Sequence, residues 1–356
     1  MAFHGPASVN DSTIDKQLSL FPSSRYMGSK QAILPFLFKT FSKLEFSSAL
    51  DGFSGSSAVS YLLKTMNKQV TSNDFSRFCY HTADALVANN HITLNKRDIA
   101  GLLAANSNAA DFIQSNFADL YFADDDNRWL DNVTANIRNL KNPTKQSLAY
   151  AALARACLRK RPRGVFTYTG LRYDDGRRDL QLSLSEQFKI ALDIINSAVF
   201  NNGCPNLATN EDIFALETAA EYDLIYIDTP YVSPHSDNDY WRRYHFVEGL
   251  TRYWNGLEIL QQTSTKKFRR IPSAFDSKAT VHRGFERLFD KYNQSIIVVS
   301  YSSNGIPSKE ELASLLRRYK RRVTVTEVDH RYSFGTHAHK RQSNQNSVKE
   351  YLFVGQ

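Results

Sequence analysis

Leu224-Ile225-Tyr226-Ile227 and Ile296-Ile297-Val298-Val299 are apolar without a break. A strand with one face in water alternates apolar and polar side chains, so unbroken runs belong to strands covered on both faces. That is the condition of a parallel sheet with helices packed on each side. Further strand-like segments at 47–51, 69–74, 206–209, 322–328 and 351–354 extend this into an α/β scaffold. Between the first two, a Gly- and Ser-rich turn is followed by Ala58, Val59, Tyr61, Leu62, Leu63 and Met66 at helical spacing, which makes a βαβ unit. Ile33, Leu34, Phe36, Leu37 and Phe41 predict a helix over 32–41, with Pro35 restricting where it starts.

Residues 76–204 read differently. Helical patterns over 81–90, 98–105, 110–121, 145–159 and 184–199 run without a parallel-strand signal, as in an inserted, mainly helical domain. With roughly 100–200 residues per domain, 356 residues suit two domains. The polar residues 1–24 are expected to form an arm outside the core. A net charge of +8 favours an anionic partner, nucleic acid ahead of a membrane surface. Cys79, Cys157 and Cys204 lack CxxC spacing, so neither a disulfide framework nor a zinc site is expected, and a reducing compartment is. No run approaches the roughly 18 apolar residues of a membrane span, which points to a soluble intracellular protein.

Two constellations carry chemistry. Asp51-Gly52-Phe53-Ser54-Gly55-Ser56 lies between a strand and a helix, where glycines permit a sharp turn and close approach of a ligand. Asp74 ends the next strand, where a carboxylate can accept both hydroxyls of a ribose. Asp228-Thr229-Pro230-Tyr231 ends the apolar run 224–227 and offers a side-chain acceptor, a backbone carbonyl and a stacking face, a set that suits a planar amine. Asp329, His330, His337 and His339 fit no compact ligand set, so no metal is expected. Ser300-Tyr301-Ser302-Ser303 lacks a nucleophile elbow and reads as loop and cap residues.

These residues, in this order, resemble the D12-class, Dam-like DNA adenine-N6 methyltransferases. Arg25-Tyr26-Met27-Gly28-Ser29-Lys30 is similar to the family's N-terminal patch, 51–55 to its D-x-F-x-G loop, Asp74 to its ribose-binding acid and 228–231 to its catalytic D-P-P-Y. Asp212 matches an acid near the cofactor adenine, while 244–250 and 349–354 resemble the segment after the catalytic motif and the closing strand. Ser56-Ser57 replaces a frequent glycine, and Thr229 replaces the first proline of the catalytic motif.

The resemblance implies a Rossmann-like class I methyltransferase sheet (25–75 and 205–356) carrying an inserted target-recognition domain (76–204). It implies S-adenosylmethionine as cofactor, bound through Tyr26, Lys30, Asp51, Gly52, Phe53, Gly55, Asp74, Asp212 and Asp228. Asp228, Thr229, Pro230 and Tyr231 would act on adenine N6 flipped out of double-stranded DNA. A hairpin-like layout with Arg159, Arg161, Arg163, Arg172, Arg177 and Arg178 would contact DNA, with Arg163 and Arg172 as base readers. The basic stretches 266–287 and 317–341 are further DNA candidates, although the helical spacing of 317–322 favours a solvated face there. A monomer of prokaryotic or phage origin, cytoplasmic and near the nucleoid, completes the expectation, with either protection of DNA from a partner restriction endonuclease or marking of the chromosome as its role. N4-cytosine methylation and a catalytically silent DNA-binding module stay open as alternatives.

Overall fold

The computed structural model describes residues 11–170, 174, 176–217, 222–233, 239–328 and 349–356. Its strands are β1 (Ser48–Asp51), β2 (Gln69–Asn73), β3 (Leu207–Thr209), β4 (Leu224–Ile227), β5 (Ile296–Ser302), β6 (Val323–Val328) and β7 (Glu350–Gly355). They form one sheet in the order β3-β2-β1-β4-β5-β7-β6. The pairs from β3 to β5 are parallel, and β7 runs antiparallel between β5 and β6. From β1 the chain proceeds first to β2 and β3 on one side and later to β4 and β5 on the other. A crevice therefore opens at the carboxyl ends of β1 and β4, where ligands of open α/β sheets bind.

The unbroken apolar runs divide between the two faces as double-sided burial requires. Tyr226 and Val298 join Ala49 and Val70 in one core, while Ile225, Ile227, Ile297 and Val299 join Leu50 in the other. Each of the last four side chains is fully buried, which stabilises the sheet by about 1.5–3 kcal/mol apiece. Helices Val281–Lys291 and Lys309–Arg317 supply Phe285, Leu288, Leu312 and Leu316 to the second core.

The helices of segment 76–204 do not close around a core of their own. Leu86, Leu130, Leu148, Ala152 and Phe188 belong to the same buried cluster as Ala49 and Val70 of the sheet. Helix Pro143–Lys160 is buried from Ser147 to Leu158, and its alanines at 149, 151, 152, 154 and 156 permit close packing by neighbouring helices.

Three sequence expectations need correction. Residues 11–24 are not a loose arm: helix Asp11–Ser19 buries Ile14, and Phe21 packs on Tyr61 at 5.1 Å between ring centroids. Helix Asp124–Asn139 has no counterpart in the sequence reading, because Asp124 to Asp126 and the asparagines at 127, 132, 136 and 139 are weak helix formers. Those aspartates sit at the positive end of the helix dipole, and Asn132 and Asn136 donate to the Ala104 carbonyl at 2.8 and 2.9 Å, after the preceding helix Lys96–Leu103. Finally, Ser300 and Ser302 are strand residues of β5 rather than loop residues.

Candidate active site

β1 delivers Asp51 to the carboxyl edge of the sheet, opposite Tyr226 of β4. The chain then turns through 52–57, with Gly52 N–H donating to Tyr226 O (3.0 Å) and Ser54 N–H to Asn73 O (2.9 Å). Gly55 has φ +49°, and a Cβ there would meet the Tyr26 ring at 2.9 Å, so only glycine lets that ring lie against the turn. Asp74 ties the turn to β2 by accepting from Gly55 N–H and Ser76 N–H, both at 2.8 Å.

Ser57 takes φ +62°, the left-handed conformation a glycine would adopt freely, and its buried hydroxyl has no partner. The conformation of the missing family glycine is thus retained at a cost of about 1–3 kcal/mol. Ser57→Gly is expected to raise stability by about 1 kcal/mol after the entropy cost of glycine. Thermal unfolding checks this, and a clear loss of stability contradicts it.

A cleft of about 770 Å³ lies above this edge. Tyr26, Lys30, Asp51, Phe53, Gly55, Asp74, Asp212, Asp228, Thr229, Pro230 and Tyr231 all line it. Gly52 stands behind the wall, where a Cβ would press Ile213 at 3.1 Å. Tyr26 stacks on Tyr244 (4.9 Å, 10°), whose hydroxyl accepts from Met27 N–H at 2.7 Å. Asp212 N-terminates a turn by accepting from Phe214 N–H, and Lys291 donates to the carbonyls of Ile213, Phe214 and Leu216 in the same turn. Sequence reasoning missed Tyr240, Trp241, Arg270, Phe275 and Arg287, which complete the cleft walls.

Three carboxyls converge here, and burial raises all of them. Asp51 reaches about 7, with the Asp228 and Asp74 charges adding to burial and the Ser60 hydroxyl opposing it. Asp74 reaches about 6, restrained by the Ser76 and Gly55 N–H groups. Asp228 also reaches about 6, because the Lys30 ammonium only partly offsets its desolvation. One Asp51 oxygen accepts from Ser60 at 2.6 Å, while Oδ1 is buried without a partner. An orphaned carboxylate oxygen beside two further acids is an electronegative pocket that fits a cationic ligand bearing hydroxyls.

Because these folded-state values lie above those of the unfolded chain, the folded protein holds protons the unfolded chain releases. Their stabilising contribution is full at low pH and is lost as pH rises through about 6–7. Asp51→Asn is therefore expected to gain stability relative to the parent between pH 5 and pH 8, by at most about 3 kcal/mol. A constant difference in Tm across that range contradicts it. The buried His81 and His245, both lowered to about 3 by desolvation, act in the opposite sense but cancel in the comparison.

At the end of β4, Lys30 Nζ lies 2.9 Å from Asp228 Oδ1, 2.6 Å from Tyr231 OH and 3.4 Å from Glu350 Oε1. The Tyr231 hydroxyl lies 3.0 Å from Asp228 Oδ1 and 2.7 Å from Glu350 Oε1, with one proton to donate between them. Its ring meets Tyr301 edge-on at 4.9 Å. Lys30, expected to contact cofactor, thus directs its charge to the acid of the D-T-P-Y motif and to a glutamate of β7. Glu350 escaped the sequence reading as a site residue. Its only signal was one charge heading the apolar strand Tyr351-Leu352-Phe353-Val354.

The family model for D12 class N6 adenine-specific DNA methyltransferases matches residues 26–315. The chain belongs to this family. It is 31% identical to the type II methyltransferase M2.HphI of Haemophilus parahaemolyticus, over 88% of the chain and 92% of that protein. It is 27% identical to the modification methylase StsI of Streptococcus sanguinis, over 83% of the chain and 46% of that protein. With the type II methyltransferase M.FokI of Planomicrobium okeanokoites it shares 30% identity, over 43% of the chain and 23% of that protein.

The arginines expected to meet DNA take different places in this methyltransferase. Arg177 and Arg178 are exposed, Arg159 is one-third exposed beside Asp179 (3.1 Å), and Arg163 is half-buried. With Arg25 and Lys189, the residues Arg159, Arg177 and Arg178 line an open basic groove. Arg172 lies outside the described residues, as do Asp329, His330, His337 and His339. Arg161 needs correction. It is fully buried and donates to the carbonyls of Tyr168 (2.7 Å), Gly170 (3.0 Å), Tyr121 (3.2 Å) and Val165 (3.4 Å), so it holds the loop together from inside. Among the described residues of 159–180 no strand forms, and Arg178–Gln181 is a short helix. Also among the described residues, no group of three or more His, Cys, Asp or Glu side chains is placed to hold a metal, and no helix is long and apolar enough to cross a membrane.

Proposed function

We propose that this methyltransferase modifies adenine N6 within a specific duplex sequence as the protective partner of a restriction endonuclease, using S-adenosylmethionine. The observation that carries the reading is the placement of Asp51 and Asp228 on adjacent strand ends of one cleft, with Asp74 and Tyr231 facing the same space. S-adenosylmethionine carries an ammonium, a sulfonium and ribose hydroxyls, which the three carboxyls and the Gly55 turn suit; it supplies an electrophilic methyl group when bound. Asp74 would take the ribose, Asp51 and the Tyr26 side the amino acid portion, and Asp212 the adenine end. The names of the relatives, modification methylases among them, support the pairing with a nuclease. The chain would act as a monomer, on DNA of the cytoplasm, the latter in keeping with the bacterial sources of these relatives.

On the substrate side, the Asp228 carboxylate and the Thr229 carbonyl accept the two N–H bonds of the flipped adenine amine, and Tyr231 stacks on the ring. Threonine serves as well as proline here, since only its backbone oxygen is used. Flipping costs a few kcal/mol, which the helical segment 76–204 and the basic groove at Arg25, Arg159 and Arg178 would offset through phosphate contacts. The remaining catalysis is positioning and preorganised polarity.

Nucleoside analysis of DNA from cells expressing the chain, with sequence mapping of the modified base, tests the reading. N6-methyladenine at one defined sequence is expected; N4-methylcytosine or no modification overturns it. Asp74→Ala is expected to weaken S-adenosylmethionine binding by about 10- to 100-fold, as a charged hydrogen bond is worth about 1.5–3 kcal/mol. Unchanged affinity by calorimetry contradicts the ribose role. Asp228 is a much stronger acceptor when ionised, so the transfer rate is expected to fall as pH drops through about 6. A rate flat from pH 8 to 5 contradicts that assignment.

A further inference from the structure

Glu350 is fully buried, and although it belongs to the closing-strand segment 349–354, no role in the site was expected of it. Pairing of β7 with β5 sets it opposite Ser302, and a slip of one residue would turn it to the other face. Its Oε1 meets Lys30, Tyr231 and the Ser300 hydroxyl, while Oε2 is buried without a partner. A half-satisfied buried carboxylate is costly, and nothing in the packing of β7 requires one, since Leu352 and Val354 on the same face are apolar.

We infer that Glu350 is a positioning residue for methyl transfer, sharing the Lys30 ammonium with Asp228 so that Asp228 keeps its strength as acceptor for the target amine. This rests on Asp228 being that acceptor. With Glu350 present, Lys30 is divided between two carboxylates; without its charge, Lys30 belongs to Asp228 alone and withdraws electron density from it. The other groups facing Asp228 are Asp51 on β1, Tyr226 on its own strand, Tyr231, and Tyr240 from helix Tyr240–Arg243. Glu350 bonds both Lys30 and Tyr231, from β7.

Glu350→Gln keeps the shape and an oxygen for Tyr231 and Ser300. It is expected to lower kcat about 10- to 100-fold and to move the acid limb of the kcat profile about one pH unit lower, with S-adenosylmethionine affinity by calorimetry unchanged. Ser300→Ala removes a donor from Glu350, draws Lys30 toward it, and is expected to move the limb the other way. A merely structural Glu350 would lower Tm in both variants and leave the limb in place, which overturns the inference. Should Glu350→Gln fail to fold, an unmoved limb in Ser300→Ala overturns it alone. Asp228→Asn is the control: a near-parent rate there breaks the acceptor assignment itself, whereas a dead Asp228→Asn beside unmoved limbs refutes only the role of Glu350.

Discussion

Asp228→Asn is expected to lower the rate of methyl transfer by about 10²–10³, the usual loss when one preorganised catalytic hydrogen bond goes, with DNA affinity close to that of the parent. The substitution keeps the size of the side chain at the end of β4 but removes the charge that Lys30 holds at 2.9 Å. The amide can also present its NH₂ to the incoming amine, a donor facing a donor. Folding is not expected to suffer, because a carboxyl raised to about 6 by burial gains when its charge is removed. Single-turnover kinetics with a duplex containing the mapped sequence measure the effect. A rate within about threefold of the parent, far less than one such hydrogen bond is worth, would show that another group accepts the amine.

Arg161→Ala is expected to cost about 3 kcal/mol or more of folding stability and to leave the salt dependence of DNA binding unchanged. Four carbonyls share its guanidinium, and those of Tyr121 and Val165 lie in the interior; each buried acceptor left unmet costs about 1–3 kcal/mol. The side chain also lies over the Tyr168 ring at 4.4 Å, packing that is lost with it. Arg178→Ala, on an exposed side chain, is expected to do the reverse. Stability should stay within about 0.5 kcal/mol, while the slope of log K against log salt falls by about 1. Thermal unfolding and binding titrations at several salt concentrations separate the two. An Arg161→Ala protein with the parent Tm and a reduced salt slope would return that arginine to the DNA surface.

These two arginines mark where reading a sequence stops. Arg161 and Arg178 have the same charge and lie in the same basic stretch, and nothing local distinguishes them. Arg161 is inside because Tyr121, from the bend before helix Asp124–Asn139 and 40 residues earlier, and the loop through Gly170 close around it. Helix Asp124–Asn139 failed to show for a similar reason. Its asparagines are weak helix formers by themselves, and the carbonyl that Asn132 and Asn136 cap follows another helix.

What the sequence determined alone are features whose cause is local. Strands covered on both faces must be apolar throughout, so β4 and β5 announced themselves. The acids at the ends of β1, β2 and β4 and the glycine at the φ +49° turn after β1 stand at fixed offsets from their strands, so Asp51, Gly55, Asp74 and Asp228 were legible before any contact was known. Tertiary structure decided the electrostatics. The strand order puts Asp51 beside Asp228, and the antiparallel entry of β7 brings Glu350 to a lysine 320 residues away in the chain. Burial then raises the carboxyls toward neutrality. Charge strength depends on distance and on how completely water is excluded, and both are set by segments far apart in the chain, which no local pattern records.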